Sequence, residues 1–205
     1  MIPASEALDR LKAGNARFTT QLNDAGESAG RARRPELVMV QEPFAIILGC
    51  SDARVPAEIV FDQGLGDLFV IRVAGNIVAP SLVGSVEFAA EAFSTRLVVV
   101  LGHSQCGAIA ATIDELQRPA AKQSRNLHAI VERIRPSVEA LLDTDIAHDR
   151  AALARAATRA NVRASVDHLR HGSEVLEQLI ASNGVMIVGA EYSVETGVVE
   201  FFASH

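Results

Sequence analysis

The 205 residues carry a formal net charge of −6, with 19 Lys and Arg against 25 Asp and Glu, which argues against non-specific binding to nucleic acid or to acidic membrane surfaces. Apolar residues make up 49% and charged ones 21%, enough to bury the core of one domain without staples. No apolar run reaches the roughly 18–20 residues of a membrane span, and no basic stretch leads into an early apolar one, so neither a membrane helix nor a secretory signal is expected.

In chain order, Pro3 to Phe18 places apolar residues at helical spacing, with Ser5 as a candidate N-cap. Its apolar stripe is narrow and a long polar connector follows, so this helix (with the connector, residues 1–34) is expected to pack on a partner subunit rather than on its own domain. Thr19 to Arg34 reads as an exposed connection, and Arg31, Arg33 and Arg34 as solvated surface. Phe44 to Leu48 reads as a buried strand ending at Gly49-Cys50. Beyond Ser51-Asp52-Ala53-Arg54, Pro56 opens a short helix that Gly64 and Gly66 stop.

Leu68 to Val73 is the second strand, followed by Ala74-Gly75-Asn76, a helix from about Ser81 to Ser94, and a third strand from Leu97 to Leu101. Helical patterns fill most of Ala108 to Ile180, with breaks expected near Arg118-Pro119, Arg135-Pro136, Asp143 to His148 and His171-Gly172. The Ala- and Arg-rich stretch from Asp149 to Arg170 is the least apolar and is expected on the outside. Val185 to Val188 and Gly197 to Phe202 are the last strands, and the short return between them makes an antiparallel hairpin. The alternation predicts an α/β fold: a mainly parallel central sheet of four strands plus a C-terminal antiparallel fifth strand, helices on both faces, in one domain over residues 1–205.

In such sheets ligands gather at the carboxyl ends of the strands. Cys50 and the His103-Ser104-Gln105-Cys106 stretch both stand there, each just past an aliphatic run and a glycine. Alone, a His and a Cys side by side are more often a buried histidine and a core thiol. The repetition of strand, Gly, then ligand-type residues at Cys50 is what points to a metal. Two thiolates and an imidazole suit zinc, and three protein ligands leave a fourth position for water, whose pKa the metal lowers to about 7.

Asp52 and Arg54 can form a bidentate ion pair in a tight loop. Held in this way, Asp52 stays ionised, accepts the proton of the zinc-bound hydroxide and turns its lone pair towards substrate. Two other readings of the pair stay open: an exposed loop salt bridge contributing about 0–1 kcal/mol, or Asp52 as a fourth ligand in a closed, inactive state.

Cys50-Ser-Asp52-Ala-Arg54-Val-Pro56, Ile71-Arg72-Val-Ala-Gly75-Asn76 and Gly102-His103-Ser-Gln-Cys106-Gly107 together resemble the motifs of the β-class carbonic anhydrases of bacterial type, in order and spacing. The resemblance implies reversible hydration of carbon dioxide to bicarbonate and a proton, the lyase reaction of a carbonate dehydratase. It implies one Zn2+ per subunit on Cys50, His103 and Cys106, and a catalytic dyad of Asp52 with Arg54. It also implies that Gln41 donates a hydrogen bond to bicarbonate, that Phe69, Ala74 and Phe88 line a small apolar pocket partly across the subunit boundary, and that the Gly107 N–H faces the bound anion. From the residues alone, Gln41 would be an exposed loop amide, and Phe69 and Phe88 plain core.

A homodimer, or a dimer of dimers, follows from the same resemblance. Some members of the family carry a second, inhibitory bicarbonate site; Arg72 and Tyr192 match it here, but Ile47 stands where it needs a Trp. Activity is expected to fall as pH drops, with Asp52 off the metal at mildly alkaline pH.

Other classes fit less well. No Cys-x-x-Cys supports a thiol redox protein. No Arg lies between Gly107 and Thr112 to make a phosphatase loop, and Gly64-Leu65-Gly66 precedes a strand, the wrong context for a dinucleotide. The remaining rival is a catalytically inactive zinc-structured interaction protein. Reduced thiolates favour a cytoplasmic location. His128, His148, His168, His171 and His205 could each carry protons but read as surface or packing residues.

Overall fold

The computed structural model describes residues 2–21, 41–118 and 124–203. Thr19 to Gln21, expected in the polar connector, instead end the first helix; the rest of the connector with Arg31, Arg33 and Arg34, the expected break at Pro119, and His205 lie outside the described residues.

Aliphatic runs without polar alternation make the centre of the sheet. Every residue of β1 (Ala45–Gly49) and β3 (Leu97–His103) is buried, as in strands covered on both faces. β2 (Leu68–Arg72) pairs with β1, and β1 with β3, in parallel. β4 (Met186–Tyr192) pairs parallel with β3, and β5 (Val199–Phe201) returns antiparallel along β4. The order is β2-β1-β3-β4-β5, the four-plus-one α/β sheet expected from the sequence. Alternate residues of the central strands feed two cores: Ile47, Val99 and Leu101 face one side, Ile46, Val98 and Val100 the other.

The helices are α1 (Ala4–Gln21), α2 (Ala57–Val60), α3 (Pro80–Ala92), α4 (Gly107–Gln117), α5 (Arg125–Leu142), α6 (Arg150–His171) and α7 (Glu174–Asn183). Short 3₁₀ turns occupy Ala74–Asn76 and Asp145–His148. Three expectations from the sequence need correction.

α1 packs on its own sheet rather than only on a partner. Ala4, Ala7 and Leu11 are buried in the core with Val60, Phe61 and Val199. The stripe is narrow because two of its members are alanines, and because a polar residue extends it. Asn15 Nδ2 donates to the carbonyls of Val60 and Gly197 at 3.0 and 2.8 Å, and its Oδ1 accepts from the Val199 N–H at 2.8 Å.

Pro136 does not break α5, which runs through it. Val131, Ile134 and Val138 are buried on both sides of the proline, and this continuous apolar stripe outweighs the one backbone hydrogen bond that proline forgoes.

α6 is not an outer helix. Leu153, Ala157, Asn161, Val162, Ser165, Val166 and Leu169 are all buried. Small residues bring it close to the sheet rather than leaving it in water: a Cβ on Gly102 would stand 2.5 Å from Val162 Cγ2. Closeness, more than apolarity, fixes its place.

Candidate metal centre and active site

The register sets the site. Gly49 pairs with Leu101 on one side and Arg72 on the other, so Cys50 and His103 leave adjacent strands at the same carboxyl edge. The chain after His103 turns through Gln105, at φ 53, and enters α4 with Cys106 as its N-cap residue. One donor atom from each of Cys50, His103 and Cys106 lies within 4.8 Å of the other two, and all three residues are buried.

His103 Nδ1 sits 2.8 Å from the Ser104 carbonyl, which places its proton there and leaves Nε2 with a lone pair. That Nε2 is buried and has no hydrogen-bond partner among the described residues. An orphaned imidazole nitrogen between two sulfurs is costly unless something binds it. The donor set fits zinc: two thiolates and one imidazole whose second nitrogen is fixed by a backbone carbonyl.

The electrostatics favour a thiolate. A hydrogen bond from Cys106 pulls the Cys50 thiol down against the cost of burial, with His103 and the Gly75 N–H helping. The same contact with Cys50, together with burial, pushes Cys106 up. Burial lowers His103, but its contact with Cys50 outweighs that, so the net shift is upward.

Asp52 stands beside this cluster, with Oδ2 3.9 Å from His103 Nε2. Arg54 engages both carboxylate oxygens: Nε donates to Oδ1 at 2.9 Å and Nη2 to Oδ2 at 2.8 Å, while the Arg54 backbone N–H reaches Oδ1 at 3.0 Å. These contacts hold the Asp52 carboxyl well below the usual carboxylate range. Its side chain keeps 19% of its surface in water, open enough to meet a small substrate.

Arg72, at the end of β2, fixes the loop between Cys50 and Asp52. Its Nε donates to the Cys50 carbonyl at 3.0 Å and its Nη2 to that of Asp52 at 2.6 Å. Behind Cys50, the Ala74–Asn76 turn delivers the Gly75 N–H to Cys50 Sγ at 3.3 Å. Gly75 has φ +74, and a Cβ there would lie 2.7 Å from Ile134 Cδ1; only glycine meets both demands without strain. α6 pins that turn, Asn161 Nδ2 donating to the Gly75 carbonyl at 2.8 Å and Ser165 Oγ to that of Asn76 at 3.1 Å.

The structure thus brings together Cys50, Asp52, Arg54, His103 and Cys106. Ala74 opens the adjoining turn, and Gly107 begins α4 with open space around its Cα. The contacts of Gln41, Phe69 and Phe88 among the described residues do not include this cluster. Gln41 is exposed ahead of β1. Phe69 pairs with Ile46, four residues and about 13 Å back along the strand from Cys50. Phe88, 54% exposed, packs against Phe69 and Phe93 with ring centroids 6.2 and 5.5 Å away. His128 and His171 are exposed and face Glu132 and Asp167 one helical turn away.

Residues 45–199 match the family model described as carbonic anhydrase. The chain is 39% identical over 196 residues to a carbonic anhydrase of Mycolicibacterium smegmatis, covering 93% of this chain and 89% of that one. Against carbonic anhydrase 2 of Mycobacterium tuberculosis it is 35% identical over 200 residues, covering 91% and 87%. In fold it resembles the β-carbonic anhydrase CafA of Aspergillus fumigatus, at a TM-score of 0.75 and 24% identity, covering 98% of this chain and 92% of that one. One of two β-carbonic anhydrases of Sordaria macrospora described as tetrameric is equally similar in fold, at a TM-score of 0.75 and 20% identity, covering 95% of each chain.

A buried Cys–His–Cys donor set at the carboxyl edge of this sheet, together with these matches, defines an enzyme of the lyase class. The chain belongs to the carbonic anhydrase family, and its fold is that of the β-carbonic anhydrases.

Proposed function

We propose that this enzyme catalyses the zinc-dependent, reversible hydration of carbon dioxide to bicarbonate and a proton. The observation that carries this reading is the buried, unpartnered His103 Nε2 between two thiols, with the Arg54-bound Asp52 carboxylate 3.9 Å away. Cys50, His103 and Cys106 would hold one Zn2+ per subunit. Bound there, zinc acts as a Lewis acid that makes water nucleophilic near neutral pH.

The chain's own groups do the rest. Arg54 keeps Asp52 ionised, so its carboxylate accepts a hydrogen bond from the nucleophile and holds it in one orientation. Arg72 fixes the backbone on which both Cys50 and Asp52 ride. The Gly107 N–H, at the start of an 11-residue helix, suits the product anion. In this reading Asp52 works while paired with Arg54 through both of its oxygens, and closure onto the metal in an inactive state would first require breaking that pair.

The working unit in this proposal is a homodimer or a dimer of dimers. Gln41, Phe69 and Phe88, which the resemblance assigns to substrate binding, would complete the site of a neighbouring subunit in this reading. Two free, buried cysteines favour a reducing, cytoplasmic setting.

Stopped-flow hydration of carbon dioxide, measured with bound zinc and with and without a sulfonamide, tests the activity. Zinc-loaded protein should be active and inhibited, and Asp52→Ala should keep its zinc while losing about 10²–10⁴-fold in rate. Fully loaded protein with no hydration would leave only the structural-zinc alternative. Sedimentation should give two or four times the chain mass.

A further inference from the structure

The turn between β4 and β5 carries a carboxylate that grips the second ligand loop. Ser104 Oγ donates to Glu195 Oε2 at 2.6 Å, and Gln105 Nε2 donates to Glu195 Oε1 at 2.5 Å. Ser193 Oγ donates to the same Oε2 at 3.1 Å. The grip is reciprocal, since Ser104 Oγ accepts from the Val194 N–H at 2.9 Å, and the Ser104 N–H donates to the Tyr192 carbonyl at 2.9 Å.

Two consecutive side chains of the His103–Cys106 loop therefore end on one carboxylate mounted on a rigid hairpin. The second of them, Gln105, holds φ 53, a left-handed conformation that a non-glycine residue keeps only when its surroundings enforce it. In that conformation the Gln105 carbonyl accepts from Arg54 Nη2 at 3.2 Å. Apart from Asp52 itself, this carbonyl is the partner of the Arg54 guanidinium recorded among the described residues.

We propose that Glu195 is a positioning residue for the site, acting through Ser104 and Gln105 to set the direction of the Gln105 carbonyl and hence of the Arg54–Asp52 pair. The chain of contacts runs from Glu195 to Gln105, from the Gln105 backbone to Arg54, and from Arg54 to Asp52. It joins the C-terminal hairpin to both ligand loops at the edge where they meet. For its effect on rate, this inference rests on the carbonic anhydrase reading; for its effect on ligand geometry it does not.

The experiment compares cobalt-substituted wild type with Glu195→Ala and Glu195→Gln. Glutamine keeps an oxygen and an amide that can meet Ser104 and Gln105, but carries no charge. Glu195→Ala should shift the visible cobalt bands, which report ligand geometry, and lower kcat by about tenfold to a hundredfold with little change in KM. Glu195→Gln should restore the bands and bring kcat back to within about twofold of wild type. Gln105→Ala should reproduce the alanine defect, and adding Glu195→Ala to it should cost little more, because the two act through one path.

Wild-type bands and rate in Glu195→Ala would overturn the proposal. So would a Glu195→Gln protein as impaired as Glu195→Ala, which would assign the effect to charge, or additive losses in the double variant. Should zinc-loaded wild type hydrate no carbon dioxide, the enzymatic reading fails, and the cobalt bands of the three proteins still decide the tether.

Discussion

Replacing Gly75 with alanine measures how tightly the turn behind Cys50 is enclosed. Gly75 sits at φ +74, a conformation that costs a side-chain-bearing residue about 1–2 kcal/mol. The added Cβ would lie 2.7 Å from Ile134 Cδ1 and 3.0 Å from Ala108 Cβ. Ile134 is fully buried, so the room must come from a closed core, at about 1–3 kcal/mol. Together these come to about 2–5 kcal/mol.

Gly184→Ala is the internal control, because Gly184 has φ +67 and nothing within 4 Å of the added carbon. It should lose only the conformational share, about 1–2 kcal/mol. Urea unfolding at matched protein and metal concentration, with unchanged slope, should place Gly75→Ala below Gly184→Ala by about 1–3 kcal/mol. Trimming Ile134 to valine in the Gly75→Ala background removes the nearest clashing atom and should recover part of the gap. A Gly75→Ala protein no less stable than Gly184→Ala would refute the enclosure.

Cys106→Ser should lose metal under chelator challenge by more than the roughly 10–100-fold that changes behind a ligand cause; retention equal to wild type would remove Cys106 from the ligand set. Asn161→Ala strips the Gly75 carbonyl of its donor inside the core, at about 1–3 kcal/mol, which thermal unfolding should register as a midpoint some 2–4 °C lower per kcal/mol. Asp52 and Glu195 both have carboxyls held low, Asp52 chiefly by the hydrogen bond from Arg54 and Glu195, at about 2, chiefly by that from Ser104. Their stabilising share is therefore complete above the unfolded carboxylate value of about 4 and lost as pH falls through the folded values. Stability followed from pH 7 towards acid should show a decline below that value that Glu195→Gln makes shallower.

Much of this was legible in the chain. Aliphatic runs ending in Gly49-Cys50 and in Gly102-His103 marked the central strands and both ligand loops, because buried parallel strands tolerate no polar alternation. The Asp52–Arg54 pair followed from its spacing of two in a tight loop. What escaped the sequence were contacts between distant segments. Ala- and Arg-rich composition hid the burial of α6, since periodicity scores apolar area and not how closely a small residue lets two elements approach. Asn161 and Ser165, four apart on that helix, were the available signal of a buried polar stripe. Arg72 stands in a motif whose sequence says nothing of the carbonyls it grips, and nothing local marks Glu195, whose partner Gln105 lies 90 residues away.

That separation has a consequence for biogenesis. Cys50, His103 and Cys106, the candidate metal donors, leave the ribosome well before α6 and the last hairpin exist. At a synthesis rate of about 5–20 residues per second, the interval is on the order of ten seconds. During it the nascent thiols are neither sheltered nor aimed, and a metal met too early finds loose donors instead of a finished pocket. A polypeptide cut short near residue 150 would carry Cys50, His103 and Cys106 yet lack α6 and the Glu195 turn that brace their loops.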